Sequence, residues 1–237
     1  MRLCVFAPLL CVSLLAACSG GDRSATQSAQ APAAVARGPS AAQQYVLYEQ
    51  MLGADSAELA VPLGDEILKS FPDSDEARRV RETIDPLRAK ATGDAEQRRV
   101  TRLWSYEESP MSGGRQSTAS IYSNGAPGGE RVRLVLRRHT EWGQSVFLYG
   151  QEPGYTCAKE CRVSARFDDD KEKRYLGSIP PTGEPAIFIE EDKAFIARLE
   201  KAKRVSIDTE QKGSGSRTLV FDVGGYDPAR FKPLPNT

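Results

Sequence analysis

The chain has 237 residues, 40% of them hydrophobic and 27% charged, which fits one or two globular domains. Lys and Arg number 32 and so do Asp and Glu. The balanced charge excludes a strongly basic nucleic-acid binder and an acidic solvating tail, so no nucleic-acid partner is expected. A single histidine, His139, excludes a multi-histidine metal centre and leaves one candidate for histidine-based catalysis.

Residues 1–17 carry one charge, Arg2, followed by an apolar run from Leu3 to Ala17. The run is shorter than the roughly 20 residues a membrane span needs, and it fits the apolar region of a secretory signal. It ends Leu15-Ala16-Ala17-Cys18-Ser19-Gly20. That ending resembles the bacterial lipobox, where a signal peptidase cuts before a cysteine already bearing a diacylglyceryl group. A thiolate is the nucleophile such thioether chemistry needs. The resemblance implies a lipidated Cys18 and an anchor of several acyl chains; two or more hold stably where one does not. Ser19, rather than aspartate, follows the cysteine, which implies the outer membrane with the protein facing the periplasm. The expected bilayer contact is through the Cys18 anchor.

Removal of Cys4 and Cys11 with the signal and lipidation of Cys18 leave Cys157 and Cys161. In an oxidising compartment this even pair reads as a short-loop disulfide stabilising by about 2 kcal/mol. A redox pair or half of a metal site is the alternative, although redox pairs are usually Cys-x₂-Cys and zinc would need two further ligands.

Residues 18–40 form a lipidated tether of Ser, Gly, Ala, Gln and Pro with almost no large apolar residue. Segment 19–40 reaches about 25 Å as a flexible coil. Residues 41–99 read as helices. Tyr45, Leu47, Tyr48, Met51 and Leu52 recur at helical spacing until Gly53, and Asp55 or Ser56 can cap a second helix carrying Leu59, Ala60, Leu63, Ile67 and Leu68. Pro62 lies in its second turn. After Phe71-Pro72-Asp73, Ser74 can cap a third helix with Ala77, Val80, Ile84 and Leu87 on one face, and Asp85-Pro86 is expected to bend or end it. The stretch from Ala60 to Ala77, with Phe71-Pro72-Asp73-Ser74 between helices, resembles tetratricopeptide half-repeats. No clean 34-residue repeat follows, so it reads as a helical hairpin or three-helix segment. It is either a structural cap on the next domain or a peptide-binding groove.

From about residue 100 the period changes to two. Strands are expected near 104–106, 116–123, 131–138, 145–149, 161–167, 173–179, 186–189, 205–208 and 217–223, with a helix near 191–203 started by Asp192. The expected class is α+β: the small helical segment, then an antiparallel β-sandwich or barrel over 100–237 with one helix.

Several residues carry a further resemblance: Trp104, Ser109-Pro110-Met111, Trp142 with Val146-Phe147-Leu148, the Cys157–Cys161 pair, Arg166-Phe167-Asp168-Asp169, and Phe221-Asp222-Val223. In this order, from Arg102 to Tyr226, they resemble the type VI secretion-associated TagO/VasI-like envelope β-sandwich group. These are core-forming motifs, and that group has no preceding helical region. The resemblance implies an envelope protein with no defined catalytic site.

Candidate chemistry is sparse. Asp168, Asp169 and Asp170 lack calcium-loop spacing and read as a charged turn. Glu190, Glu191 and Asp192 read as helix-start acids. His139 has no Gly-x-Ser-x-Gly or Ser-x-x-Lys partner motif, so no catalytic residue, cofactor or metal ligand is assigned. Arg131, Arg133 and Arg137 fall on one strand face with Arg138 beside them, a candidate surface for an acidic partner, lipid headgroups or an anionic glycan. Trp142, Phe147 and Tyr149 read as core rather than as a carbohydrate platform. The expected function is a non-enzymatic adaptor or accessory lipoprotein of an envelope assembly, with a protein partner. The alternatives are an inhibitor of a periplasmic or effector hydrolase, plugging a cleft with loop 124–130 or 151–160, and a cell-wall binding module or enzyme.

Overall fold

A computed structural model describes residues 38–125, 131–157, 161–213 and 215–234. Cys18, the signal segment 1–17 and nearly all of the tether 18–40 lie outside the described residues, as do parts of the loops 124–130 and 151–160. Residues Ala41–Thr237 form one compact unit.

Three helices come first: α1 (Ala41–Gly53), α2 (Ala57–Ser70) and α3 (Asp75–Arg102). Ser74 begins α3 as expected, its Oγ accepting from the Ala77 amide at 3.0 Å. Ser56 stands at the cap position of α2 without a side-chain capping bond. Tyr48, Ala60, Ile67, Ala77, Val80 and Ile84 bury together as the shared core of this segment. Pro86 does not end α3, which runs on through it to Arg102. Of the two expected outcomes, the ending is overridden by packing on both sides. Ile84 is buried against α1 and α2, and Arg88 grips Asp65 of α2 at 2.5 Å and Asp85 at 3.0 Å. An interior proline costs about 3 kcal/mol, and the buried apolar face of a long helix offsets more than that.

Nine strands follow: β1 (Trp104–Met111), β2 (Gly114–Tyr122), β3 (Arg133–His139), β4 (Gly143–Tyr149), β5 (Arg162–Phe167), β6 (Lys173–Ser178), β7 (Ala186–Ile189), β8 (Val205–Gln211) and β9 (Gly215–Phe221). They form one sheet in the order β1-β2-β3-β4-β7-β6-β5-β8-β9. Every neighbouring pair is antiparallel. The sheet curls into a half-barrel, so that side chains from both ends share one core that includes Trp104, Leu136, Leu148, Phe167, Val205 and Phe221. The curl brings the chain after β2 against β9, where the Asn124 amide donates to the Val220 carbonyl at 2.7 Å. Pro110 sits in the edge strand β1, where a missing N–H costs least. Between β7 and β8, α4 (Asp192–Leu199) adds Phe195, Ile196 and Leu199 to the core; it is shorter than the expected 191–203 and starts after Glu191 rather than Asp192.

The last turns of α3 weld the helices to the sheet. Trp104 Nε1 donates to the Val223 carbonyl at 3.3 Å, and Gln97 Nε2 reaches the Gly224 carbonyl at 3.4 Å. Asp222, 9% exposed, accepts from Arg99 of α3 at 2.9 Å and from Arg204 at 3.3 Å. At Gly225 the turn lies so close to α3 that a Cβ would overlap the Val100 carbonyl and the Thr101 amide. Gly225→Ala is therefore expected to destabilise the chain by about 1–3 kcal/mol, because the obstacle is backbone and cannot rotate away. Urea denaturation checks this, and an unchanged midpoint contradicts the packing described.

Candidate functional site

Strands β3 and β4 lack the alternation of a sheet with one wet face. Leu134-Val135-Leu136 and Val146-Phe147-Leu148 are all buried. Leu134, Leu136, Val146 and Leu148 enter the main core, while Val135 and Phe147 point to the opposite face and bury there with Ala186, against Phe188. Side chains two residues apart share a face, so the register dictates this split. Val135 pairs with Phe147, Phe147 with Phe188, and Arg137 with Ser145.

The result is a groove of about 750 Å³ on the face opposite the core, bordered by β1, β2, β3, β4, β7 and loop residues 180–184. Its floor is Val135, Phe147, Ala186 and Phe188. Its rim carries large exposed rings: Tyr122 is 53% exposed, Trp142 49% and Tyr149 39%. In soluble proteins, aromatic rings over an apolar floor with few placed polar groups mark a binding site.

Two arginines rise beside the floor. Arg133 and Arg137 lie two residues either side of Val135 on β3, half-buried. The Arg137 guanidinium stands 5.1 Å from the Phe147 ring centre and 5.3 Å from that of Trp142, and Nε donates to Ser145 Oγ at 3.2 Å. Arg133 lies 5.8 Å from the Tyr149 ring centre. Burial pushes the Arg137 guanidinium below the usual arginine range. Among the described residues, no carboxylate forms an ion pair with either arginine. The groove's own carboxylates, Glu107 and Glu184, are exposed, and Glu184 is held by Thr182.

Trp142 is placed by His139. That imidazole is fully buried, and Nδ1 accepts from the Glu141 and Trp142 amides at 3.1 and 3.2 Å. Those bonds assign the neutral ring's proton to Nε2, which has no partner among the described residues. The Trp142 ring stacks on it with centres 3.9 Å apart. His139 is thus the platform of a rim residue, enclosed and committed to backbone.

The structure separates the four arginines of the sequence reading. Arg133 and Arg137 meet in the groove. Arg131 is exposed beside Gly125, outside it. Arg138 turns away from Arg137: it donates to the Phe231 carbonyl at 2.5 Å and lies 4.1 Å from that ring's centre, pinning the C-terminal segment. The core reading of Trp142 and Tyr149 gives way to a rim position, because both residues stand on the face opposite the core. Tyr122 was not singled out by sequence, and Phe188 entered only as one of the core-forming residues of the envelope-group resemblance. The unbroken apolar triplets on β3 and β4 are the signal that both faces matter.

The other candidates are structural. Cys157 and Cys161 form a disulfide with Cα atoms 5.1 Å apart. Asp168, at a positive φ of 48°, accepts from the Lys203 and Arg204 amides at 3.0 and 2.8 Å, and Asp170 pairs with Arg198 at 2.8 Å. Glu191 accepts from Lys173 and the Leu176 amide, and Asp192 from Gln144. A second cleft of about 670 Å³, between α3 and the start of β8, includes Asp222 and Arg204. Burial alone would raise the Asp222 carboxyl, but hydrogen bonds from Arg99, Asn124 and Arg204 outweigh it and hold the group below the usual carboxylate range. Asp222 is thus already matched by Arg99 and Arg204. Among the described residues, no group of three His, Cys, Asp or Glu side chains could hold a metal ion, and no helix is long and apolar enough to cross a membrane.

No family model matches the chain, and no curated protein matches it. The crystal structure of invasion associated protein B from Bartonella henselae is similar, with a TM-score of 0.39 and 16% identity, covering 54% of this chain and 88% of that one.

The two neighbouring arginines should separate in stability measurements. Arg137→Ala is expected to change folding free energy by less than about 1 kcal/mol, since relief of desolvation offsets the lost ring contacts. Arg138→Ala is expected to cost about 1–3 kcal/mol through the lost charged bond to the Phe231 carbonyl. Urea melts of both variants check this; equal losses would show that Arg137 is part of the scaffold.

Proposed function

We propose that this chain is a non-enzymatic lipoprotein, anchored through Cys18 and facing the periplasm, that acts as an adaptor of an envelope assembly by holding a partner protein in the groove of its half-barrel. The observation that carries the reading is the half-buried Arg137, set over Phe147 and beside Trp142 with no carboxylate paired to it among the described residues. A scaffold gains little from a desolvated, unmatched cation, whereas arginine and large aromatic side chains dominate binding energy at protein interfaces. A binding role rather than catalysis also agrees with His139, whose buried ring is committed to turn amides. The lipobox resemblance of segment 15–18 supports the anchor, and the resemblance of 102–226 to secretion-associated envelope proteins supports an assembly of that kind.

In-cell photocrosslinking tests this. A benzophenone amino acid placed at Tyr122 or Tyr149 is expected to capture several components of one envelope machine. Capture should fall when Arg133 and Arg137 are both changed to Gln, and when Cys18→Ala releases the chain from the bilayer. Crosslinks arising only from a probe at Leu59, exposed on α2, would move the contact to the helices and overturn the groove reading. No adduct above the Cys18→Ala control would overturn the adaptor reading itself.

A further inference from the structure

We infer that the groove takes an extended peptide segment of its protein partner bearing an acidic, an apolar and an acidic residue at alternate positions. This rests on the adaptor reading above and names the chemistry of that same site. Along β3 the groove face presents Arg133, Val135 and Arg137 in sequence. Beside them on β4 stand Tyr149, Phe147 and Ser145, each the register partner of the arginine or valine next to it. The site therefore has a fixed order: a cation near a tyrosine ring, an apolar floor extended by Phe188, and a cation between Phe147 and Trp142.

An extended ligand has the same period as the strand beneath it. Residues i, i+2 and i+4 of a β-conformation peptide project to one side over about 13 Å, the separation of Arg133 and Arg137 along their own strand. Such a peptide lying along β3 puts its middle side chain over Val135, Phe147 and Phe188 and its outer two over the guanidinium groups. The planar fork of arginine matches a carboxylate with two parallel N–H···O bonds. Both guanidinium groups are half-buried and unmatched among the described residues, so each gains a counter-charge without giving one up. The two groove glutamates, Glu107 and Glu184, are exposed and stand on β1 and on the loop before β7, off the β3–β4 axis. They discourage an acidic surface from spreading across the whole face, which favours a narrow segment over an anionic membrane.

The test uses the full chain in non-ionic detergent and a fluorescein-labelled peptide, Gly-Glu-Ser-Leu-Ser-Glu-Gly, read by polarisation. Saturable binding is expected, weakening with added salt. Replacing either Glu by Gln, or Leu by Ser, should weaken it about tenfold, and a peptide of the same composition with the two acids adjacent should bind as poorly. Arg133→Gln and Arg137→Gln should each weaken the parent peptide about tenfold and flatten the salt dependence, while Arg131→Gln should leave binding unchanged. Equal binding of the parent and rearranged peptides would overturn the inference, and this comparison needs no protein variant to fold. Arginine-dependent binding to phosphatidylglycerol vesicles with none to the peptide would also overturn it, in favour of a lipid headgroup. If groove crosslinks still capture an envelope protein while the peptide fails, the ligand chemistry falls and the adaptor reading stands.

Discussion

A sheet has two faces, and this chain has enough apolar residues to bury one of them fully and the middle of the other. Curling solves the first problem. By bending nine strands into a half-barrel, the protein lets β1–β4 and β5–β9 cover each other's inner side chains, with α4 closing the gap. That arrangement fixes the register of every strand, since a slip of one residue would exchange the core set for the outer set. It also fixes what remains outside. Val135, Phe147 and Phe188 are outward by parity, and the side chains that shelter them are those of the sheet and of loop 180–184. The groove is a consequence of the curl.

The distribution of charge follows a consistent division. Arginines that hold the fold together have partners within it. Arg99 and Arg204 share Asp222, Arg198 takes Asp170, Arg88 takes Asp65, and Arg138 takes a carbonyl and a ring. These contacts bind α3 to the sheet, α4 to the turn after β5, α2 to α3, and the C-terminal segment to β3. Arg133 and Arg137 stand apart because they contact rings and, for Arg137, one hydroxyl. Cation–ring contacts are weak in water and strengthen when desolvated. A ligand that closes the groove would strengthen those contacts and supply the missing counter-charge at once.

Much of this was legible in the sequence. The change of period near residue 100, the glycine- and serine-rich turns and the Ser74 cap placed three helices and nine strands close to where they stand, and pointed to the α+β class with a helical segment ahead of an antiparallel sandwich or barrel, which the structure forms as one curled sheet. Pro86 does not end the helix, and local propensity cannot register why: Ile84 and Arg88 clamp it on either side through residues up to 36 positions away. The site was half legible. Arg133 and Arg137 were placed on one face by alternation, but the parity argument cannot show that Arg138, facing the other way, finds Phe231, which is distant in sequence. Trp142 and Tyr149 looked like core because large aromatic residues beside apolar strands usually are. Only the path of the curled sheet decides that they border a groove. Cys18 and the segment around it rest on sequence resemblance alone.

The central claim is that Arg137 presents a positive charge, unmatched among the described residues, at an open aromatic groove. Collisional quenching reads it directly, because the chain has two tryptophans, Trp104 at 4% exposure and Trp142 at 49%, so that accessible fluorescence comes from Trp142. Iodide and caesium report the local charge at constant ionic strength. Iodide is expected to quench Trp142 more efficiently than caesium, and Arg137→Gln should reduce the iodide response while raising the caesium response. Identical iodide and caesium responses in the parent chain and in Arg137→Gln would contradict the account.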